Sequence, residues 1–370
     1  MPWTWEEINS VWYREPLVTE LPAAEEWVAL FNVVDRYFGR EWLDEQRVHG
    51  GVESWGPGAV ASVLSQGKRL QCLDGVAGTA TLIEKLRRQE PAAWAELTAI
   101  WIVTSDDAVV ELEVEPPLPG ARRIPDFRVR HGDGSWTYVE VTQPQSSKEQ
   151  KHADKVLADL TGLLNTVDKQ YALEVFLRRM PSRREIEHIR ARVPLLVRSD
   201  GANVEELPDG LGTLFLNDTA PGMITTNDHG EESRPRLSRA NVHGEDGKTQ
   251  RHIVVRLAFS DDRADAFLKK EAAQLVKSAP GLIMIDTTGA PGGFTLWESL
   301  LRARLQPSLY TRVSGICLFQ SGMFSTSTGV AWEAEARIVA NPHTQLRLPE
   351  WITSNIGRFR PGAFSRLPLS

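Results

Sequence analysis

Apolar residues recur at two different periods along this chain, and the changes of period mark its elements. Over the first 50 residues they return every three to four positions. Residues 5–13, 23–38 (with Trp27, Leu30, Val34 and Phe38 on one stripe) and 41–48 are therefore predicted to be amphipathic helices. Gly50-Gly51 and Trp55-Gly56-Pro57-Gly58 interrupt the pattern and predict a loop. Helical spacing resumes over 79–89 and 92–98, runs into apolar Ile100-Trp101-Ile102-Val103, and gives way to a strand over 108–114 closed by Pro116-Pro117. Residues 122–130 and 136–142 alternate at period two, so they are read as the arms of a hairpin around His131-Gly132-Asp133-Gly134-Ser135. Ser146-Ser147 can cap a helix over 148–167, followed by a strand over 171–178, a highly basic helix over 182–192 and a strand over 211–216. Residues 217–250 are polar and aperiodic, which predicts a long loop or insertion. Beyond them strands (252–259, 282–286, 313–320, 331–340) alternate with helices (262–277, 294–305). That alternation predicts an α/β fold, a parallel or mixed sheet flanked by helices.

The hairpin carries the candidate chemistry. If its turn is centred on Asp133, facing residues have numbers that sum to about 266 and share a face of the sheet. Asp126 then opposes Glu140, with Arg128, Arg130, Tyr138 and Thr142 on the same side and Phe127, Val129, Val139 and Val141 on the other. Two carboxylates with Cβ atoms roughly 5 Å apart repel unless a cation lies between them. Their oxygen ligands suit Mg²⁺ or Mn²⁺ better than zinc. A two-residue Asp133-Gly134 turn is the alternative; it pairs Asp126 with Val141 and turns Glu140 to the apolar side.

Pro125-Asp126, thirteen residues, then Glu140-Val141-Thr142 resembles the signature of the PD-(D/E)xK nuclease superfamily. The resemblance spans roughly residues 76–180, and the lysine of that signature is replaced by Thr142. It implies a restriction-endonuclease-like mixed sheet with helix, three strands, helix, strand in order. It also implies a two-carboxylate metal site of Asp126 and Glu140 holding Mg²⁺ or Mn²⁺, with Glu96 contributed by the preceding helix. Members of the superfamily can carry the lysine on the following helix, where this chain has Lys148, Lys151 and Lys155. The domain organisation expected is an N-terminal helical cap (1–75), the core (76–216), the loop (217–250) and a C-terminal α/β extension (251–370).

Composition narrows the classes. With 41% hydrophobic and 25% charged residues the chain is an ordinary globular one, and no apolar run reaches the ~18 residues of a membrane span. A cytoplasmic location and no membrane partner are expected. Cys72 and Cys317 lack metal-like spacing and are read as reduced structural thiols. The net charge is −7, but the basic excess gathers around residues 121–200, so Arg122, Arg123, Arg128, Arg183 and Arg184 are candidates for phosphate contacts. Trp3, Trp5, Trp12, Trp27 and Trp42 are expected to pack the helical cap, whose outer surface is the candidate interface for a second copy or a partner protein. Gly289-Ala290-Pro291-Gly292-Gly293 lacks the ending of a phosphate loop, and the eight histidines show no ligand spacing.

Two functions follow as expectations. One is a metal-dependent nuclease acting on nucleic acid, DNA ahead of RNA, in which Lys148, Lys151 or Lys155 stabilises charge or Thr142 helps to place water. The other is a nuclease-like fold that binds nucleic acid or assembles without cutting.

Overall fold

The structure is a computed structural model and describes residues 1–11, 24–49, 57–105, 109–117, 124–144, 148–164, 169–199, 203–217, 236–243, 249–257, 264–288, 293–326, 329–359 and 365–366. It is a mixed α/β protein with two mixed sheets. Helices come first: α1 (Trp5–Val11), α2 (Ala24–Phe38), α3 (Arg40–His49), α4 (Pro57–Gln71), α5 (Thr79–Arg87) and α6 (Pro91–Thr104). Next are β1 (Val109–Val114), β2 (Phe127–His131), β3 (Trp136–Thr142), α7 (Lys148–Leu164), β4 (Tyr171–Leu177), α8 (Arg183–Arg198), β5 (Asn203–Glu206) and β6 (Gly212–Asn217). The chain closes with β7 (Arg236–His243), β8 (Thr249–Leu257), α9 (Ala264–Ala272), β9 (Gly281–Asp286), α10 (Gly293–Arg302), β10 (Gly315–Thr326), β11 (Gly329–Ala340), α11 (Glu350–Arg358) and β12 (Ser365–Arg366).

The chain divides into two compact units. The first comprises Met1–Pro144, Arg263–Thr288 and Glu298–Ser370; the second comprises Gln145–Asp262 and Gly289–Trp297. This differs from the expected core of 76–216, because the strand at 171–178 leaves the hairpin's sheet altogether. It is β4, paired antiparallel to β6 and parallel to β8 in the order β5-β6-β4-β8-β7. Its residues are buried on both faces, which suits a central strand of either sheet, so the sequence pattern does not say which. Helices α7 and α8 cover one face through Leu157, Leu160, Ile189 and Val193. Part of the expected 217–250 loop is strand β7, antiparallel to β8; residues 218–235 and 244–248 lie outside the described residues.

In the first unit the strand order is β1-β2-β3-β9-β10-β11, with β12 also on β10. β3, β9 and β10 run parallel to one another, and the other pairs are antiparallel. The expected C-terminal extension is thus the other half of the hairpin's own sheet. One face packs on the helices: Phe127, Val129, Val139, Leu282, Met284 and Phe319 meet Trp27, Phe31, Leu70, Leu97 and Ile100. Trp3 and Trp27 are core residues as expected, Trp5 is 37% exposed, and Trp12 lies outside the described residues. α4 and α2 approach closely at Gly67, where an added Cβ would stand 2.8 Å from the Leu30 carbonyl oxygen. Residues 57–58, expected in a loop, start α4 instead; proline is favoured in a first helical turn because its missing N–H is not needed there. On the other face α9 packs against β3 and β9, with Leu268, Ala272 and Leu275 buried.

Candidate active site

The register of the hairpin decides what can meet. Phe127 pairs with Val139, Arg128 with Tyr138, Val129 with Thr137 and Arg130 with Trp136, as a turn centred on Asp133 requires. Asp133 Oδ1 accepts from Ser135 N (2.8 Å) and Gly134 takes φ +83°, a conformation that glycine adopts without strain. Continuing that register one step past the end of β2 sets Asp126 opposite Glu140. By the pleat, Tyr138, Glu140 and Thr142 share one face and Thr137, Val139 and Val141 the other. The polar side is not solvated at β3: Tyr138, Glu140 and Thr142 are all under 9% exposed. The reason is α9, which covers that face of β3.

Among the described residues, the carboxylates of Asp126, Glu140, Glu271 and Glu96 gather here. Asp126, just before β2, accepts from Val141 N at its Oδ2 (2.6 Å). Glu140 is 1% exposed; its Oε2 accepts from Gln274 Nε2 (2.7 Å), and its Oε1 has no partner. Glu271 of α9 accepts from the same Gln274 Nε2 at Oε2 (2.7 Å) and from Lys270 Nζ at Oε1 (2.8 Å). Glu96 is buried in α6, where it is the one charged residue. Lys85, 3.3 Å from Glu115, is the cation on the helical side. Glu115 itself holds φ +46° and donates its N–H to Asp126 O (2.8 Å), so β1 fixes the backbone at Asp126.

The electrostatics follow from this crowding. Burial, then the Asp126 and Glu271 charges, push Glu140 up to about 10; the nearby Lys270 opposes them. Burial and Asp126 push Glu96 up to about 8 against the pull of Lys85. Asp126 stands at about 6, raised by burial and Glu271 and restrained by the Val141 N–H and the two lysines. Burial disfavours the charge of Lys85, but Glu115, Glu96 and Asp126 outweigh it and its pKa rises. Each ionised acid here makes the next one harder to ionise, so the cluster holds protons at neutral pH unless further positive charge enters.

The other sequence candidates fare differently. Thr142 lies on the face of Glu140 and pairs with Ile285. Lys148, Lys151 and Lys155 belong to α7 of the second unit, which packs on β7 and β8; Lys151 and Lys155 are exposed. The helix that follows the hairpin within its own unit is α9, which carries Lys270. Arg128 is committed to Glu113 (2.6 Å) and lies 4.0 Å over the Trp136 ring. Arg183 and Arg184 are exposed in the first turn of α8, in the second unit. Arg122 and Arg123 lie outside the described residues. Lys270, Glu271 and Gln274 escaped the sequence reading, yet a signal existed: Glu271 falls on the buried stripe of α9 with Leu268 and Ala272, where a charge is out of place unless it is used.

All the donors are oxygens, the set a hard divalent cation takes. Among the described residues no three His, Cys, Asp or Glu side chains are arranged to hold a metal ion together. A Mg²⁺ site commonly needs only one or two carboxylates, with water and substrate phosphate completing it, and Asp126 with the unclaimed Oε1 of Glu140 fits that smaller set. No helix among the described residues is long and apolar enough to cross a membrane. No known family model matches the chain, and no curated protein matches it.

Proposed function

We propose that the chain is a divalent-cation-dependent nuclease on a restriction-endonuclease-like core, hydrolysing phosphodiesters of nucleic acid, DNA ahead of RNA. The observation that carries this reading is the buried carboxylate cluster, with Glu140 Oε1 unpaired beside Asp126 at the carboxyl end of β3. Support also comes from the order of elements. Read within the first unit, α6, β1, β2, β3, α9 and β9 run helix, three strands, helix, strand, with the second unit inserted after β3.

A bound Mg²⁺ or Mn²⁺ supplies a Lewis acid for the phosphoryl oxygen and a water of lowered pKa. Asp126 and Glu140 would hold it. Gln274 orients Glu140 by fixing Oε2, and so leaves Oε1 free to ligate. Lys270 replaces the strand lysine: its side chain is 63% exposed, and its ammonium, tethered to Glu271, can swing toward the charge that develops on the phosphoryl oxygens. Thr142 holds no charge and positions water at most.

The test is cleavage of plasmid DNA by purified protein with Mg²⁺ or Mn²⁺. Asp126→Ala and Glu140→Gln should abolish cutting and leave the fold intact, because each relieves a repulsion among buried acids. Lys270→Met should slow cutting by about 100-fold or more, whereas Lys151→Met should leave the rate within about twofold. No cutting by the wild type, with calorimetry showing no binding of either ion in the presence of DNA, would sink the reading. Thr142 in the lysine position favours a second reading, a nuclease-like module that binds without cutting. That protein would bind DNA with a steep salt dependence and be indifferent to Asp126→Ala.

A further inference from the structure

Arg69 lies in α4 and is only 5% exposed. Its Nη1 donates to Thr98 Oγ1 (2.7 Å), and the guanidinium lies 5.2 Å over the ring of Trp101. The opposite edge is unmet: Nε and Nη2 are buried without a hydrogen-bond partner. Ser65, one helical turn earlier and therefore on the same face of α4, also has a buried hydroxyl without a partner.

An uncompensated buried charge is strongly destabilising, and the Nε–Nη2 edge is the one that meets two oxygens of a phosphate or carboxylate in parallel hydrogen bonds. Asp286 and Glu333 are near enough to act on Arg69 electrostatically, yet neither closes on that edge. The Asp286 carboxylate is engaged elsewhere: Oδ2 accepts from Gln143 Nε2 (3.1 Å) and Oδ1 from Thr288 N (2.8 Å). Burial lowers the Arg69 pKa only to about 10, so the group is a cation at neutral pH.

We propose that the Nε–Nη2 edge of Arg69, with the Ser65 hydroxyl beside it, is a binding site for a single phosphate-sized oxyanion. The fork takes two oxygens and Ser65 Oγ donates to a third. The occupant is a phosphate group, either the free ion or a terminal phosphate of a nucleic acid. The site does not depend on the cleavage reading, since none of its residues belongs to the Asp126 cluster.

The experiment is thermal unfolding of the full chain titrated with inorganic phosphate, with chloride at matched ionic strength as reference. Phosphate should raise the wild-type Tm where chloride does not. In Arg69→Met the apparent phosphate affinity should fall by at least about tenfold. In phosphate-free buffer that variant should be as stable as the wild type or more so, because an unmet buried charge has been replaced by an apolar chain. Arg69→Lys, which keeps the charge and lacks the fork, should show the same loss and decides the matter if the methionine variant does not fold. A short oligonucleotide with or without a 5′-phosphate separates the sources: a response to the phosphorylated strand at concentrations where free phosphate has none assigns a terminal phosphate. Equal responses to phosphate and chloride in the wild type, or an undiminished phosphate response in Arg69→Lys, would overturn the proposal.

Discussion

Glu96 makes the cost of the acidic cluster measurable one residue at a time. In the folded chain its carboxyl is raised to about 8, chiefly by burial and next by Asp126, while unfolded it titrates at its ordinary value of 4.5. Between those two values the folded protein keeps a proton that the unfolded chain has released, so a rise in pH favours unfolding. The penalty is absent below about 4.5 and complete above about 8. Asp126 acts in the same direction over the window from 3.8 to about 6. Glu96→Gln, which cannot ionise, should therefore gain stability relative to the wild type as pH rises from about 4.5 to 8, read as the midpoint difference in parallel urea titrations. Saturating Mg²⁺ should shrink that difference if the added positive charge neutralises Asp126, because Asp126 is the second largest cause of the Glu96 shift. A pH-independent gap between the two proteins would place Glu96 outside the cluster's field.

At the scale of elements, the site depends on how β1 is anchored. Gly78, at φ +82° before α5, lies so close to β1 that an added Cβ would stand 1.9 Å from the Val114 carbonyl oxygen. Ala77 bridges to Glu113, and Val114 N–H donates to Ala77 O (3.2 Å). Through the next residue, Glu115, this contact reaches the backbone of Asp126. Gly78→Ala combines a forbidden backbone angle with a steric overlap and should destabilise the protein by about 2–4 kcal/mol, measured by chemical denaturation. The elements themselves were largely legible in the sequence. The alternation of the two arms left two registers open, a turn centred on Asp133 or a two-residue Asp133-Gly134 turn; the structure adopts the first, which sets Asp126 opposite Glu140, where the second would have turned every side chain of one arm over. What was not legible was membership. Residues 171–177 are apolar enough to sit in the middle of any sheet, and nothing in the sequence at Pro144 signals that the chain leaves one sheet there and returns to it at 281. That single misassignment is why lysine candidates were sought on α7, which belongs to the second unit. α4 was missed for a local reason, since Pro57 and Gly58 punctuate the sequence at its first turn.

On the scale of the whole molecule, the larger segment of the second unit, Gln145–Asp262, interrupts the first between β3 and α9. Gln143 and Asp286, joined side chain to side chain, are 143 positions apart. The parallel β3–β9 ladder, and with it the meeting of Glu140 and Gln274, can form only when that long stretch of chain has been closed. Loop closure costs entropy that grows with the length of free chain, and non-local pairing is slow for the same reason. Collapse of residues 145–262 on their own core beforehand would shorten the free chain to be closed. Folding should therefore be ordered, with the inserted unit early and the central parallel ladder late. Pulsed hydrogen exchange during refolding should find the amides of β4 and β8 protected before those of β3 and β9; simultaneous protection would contradict this sequence of events. During synthesis the same ordering keeps the hairpin with Asp126 and Glu140 waiting, its two acids still in water and ionised, until the segment carrying Gln274 has emerged from the ribosome.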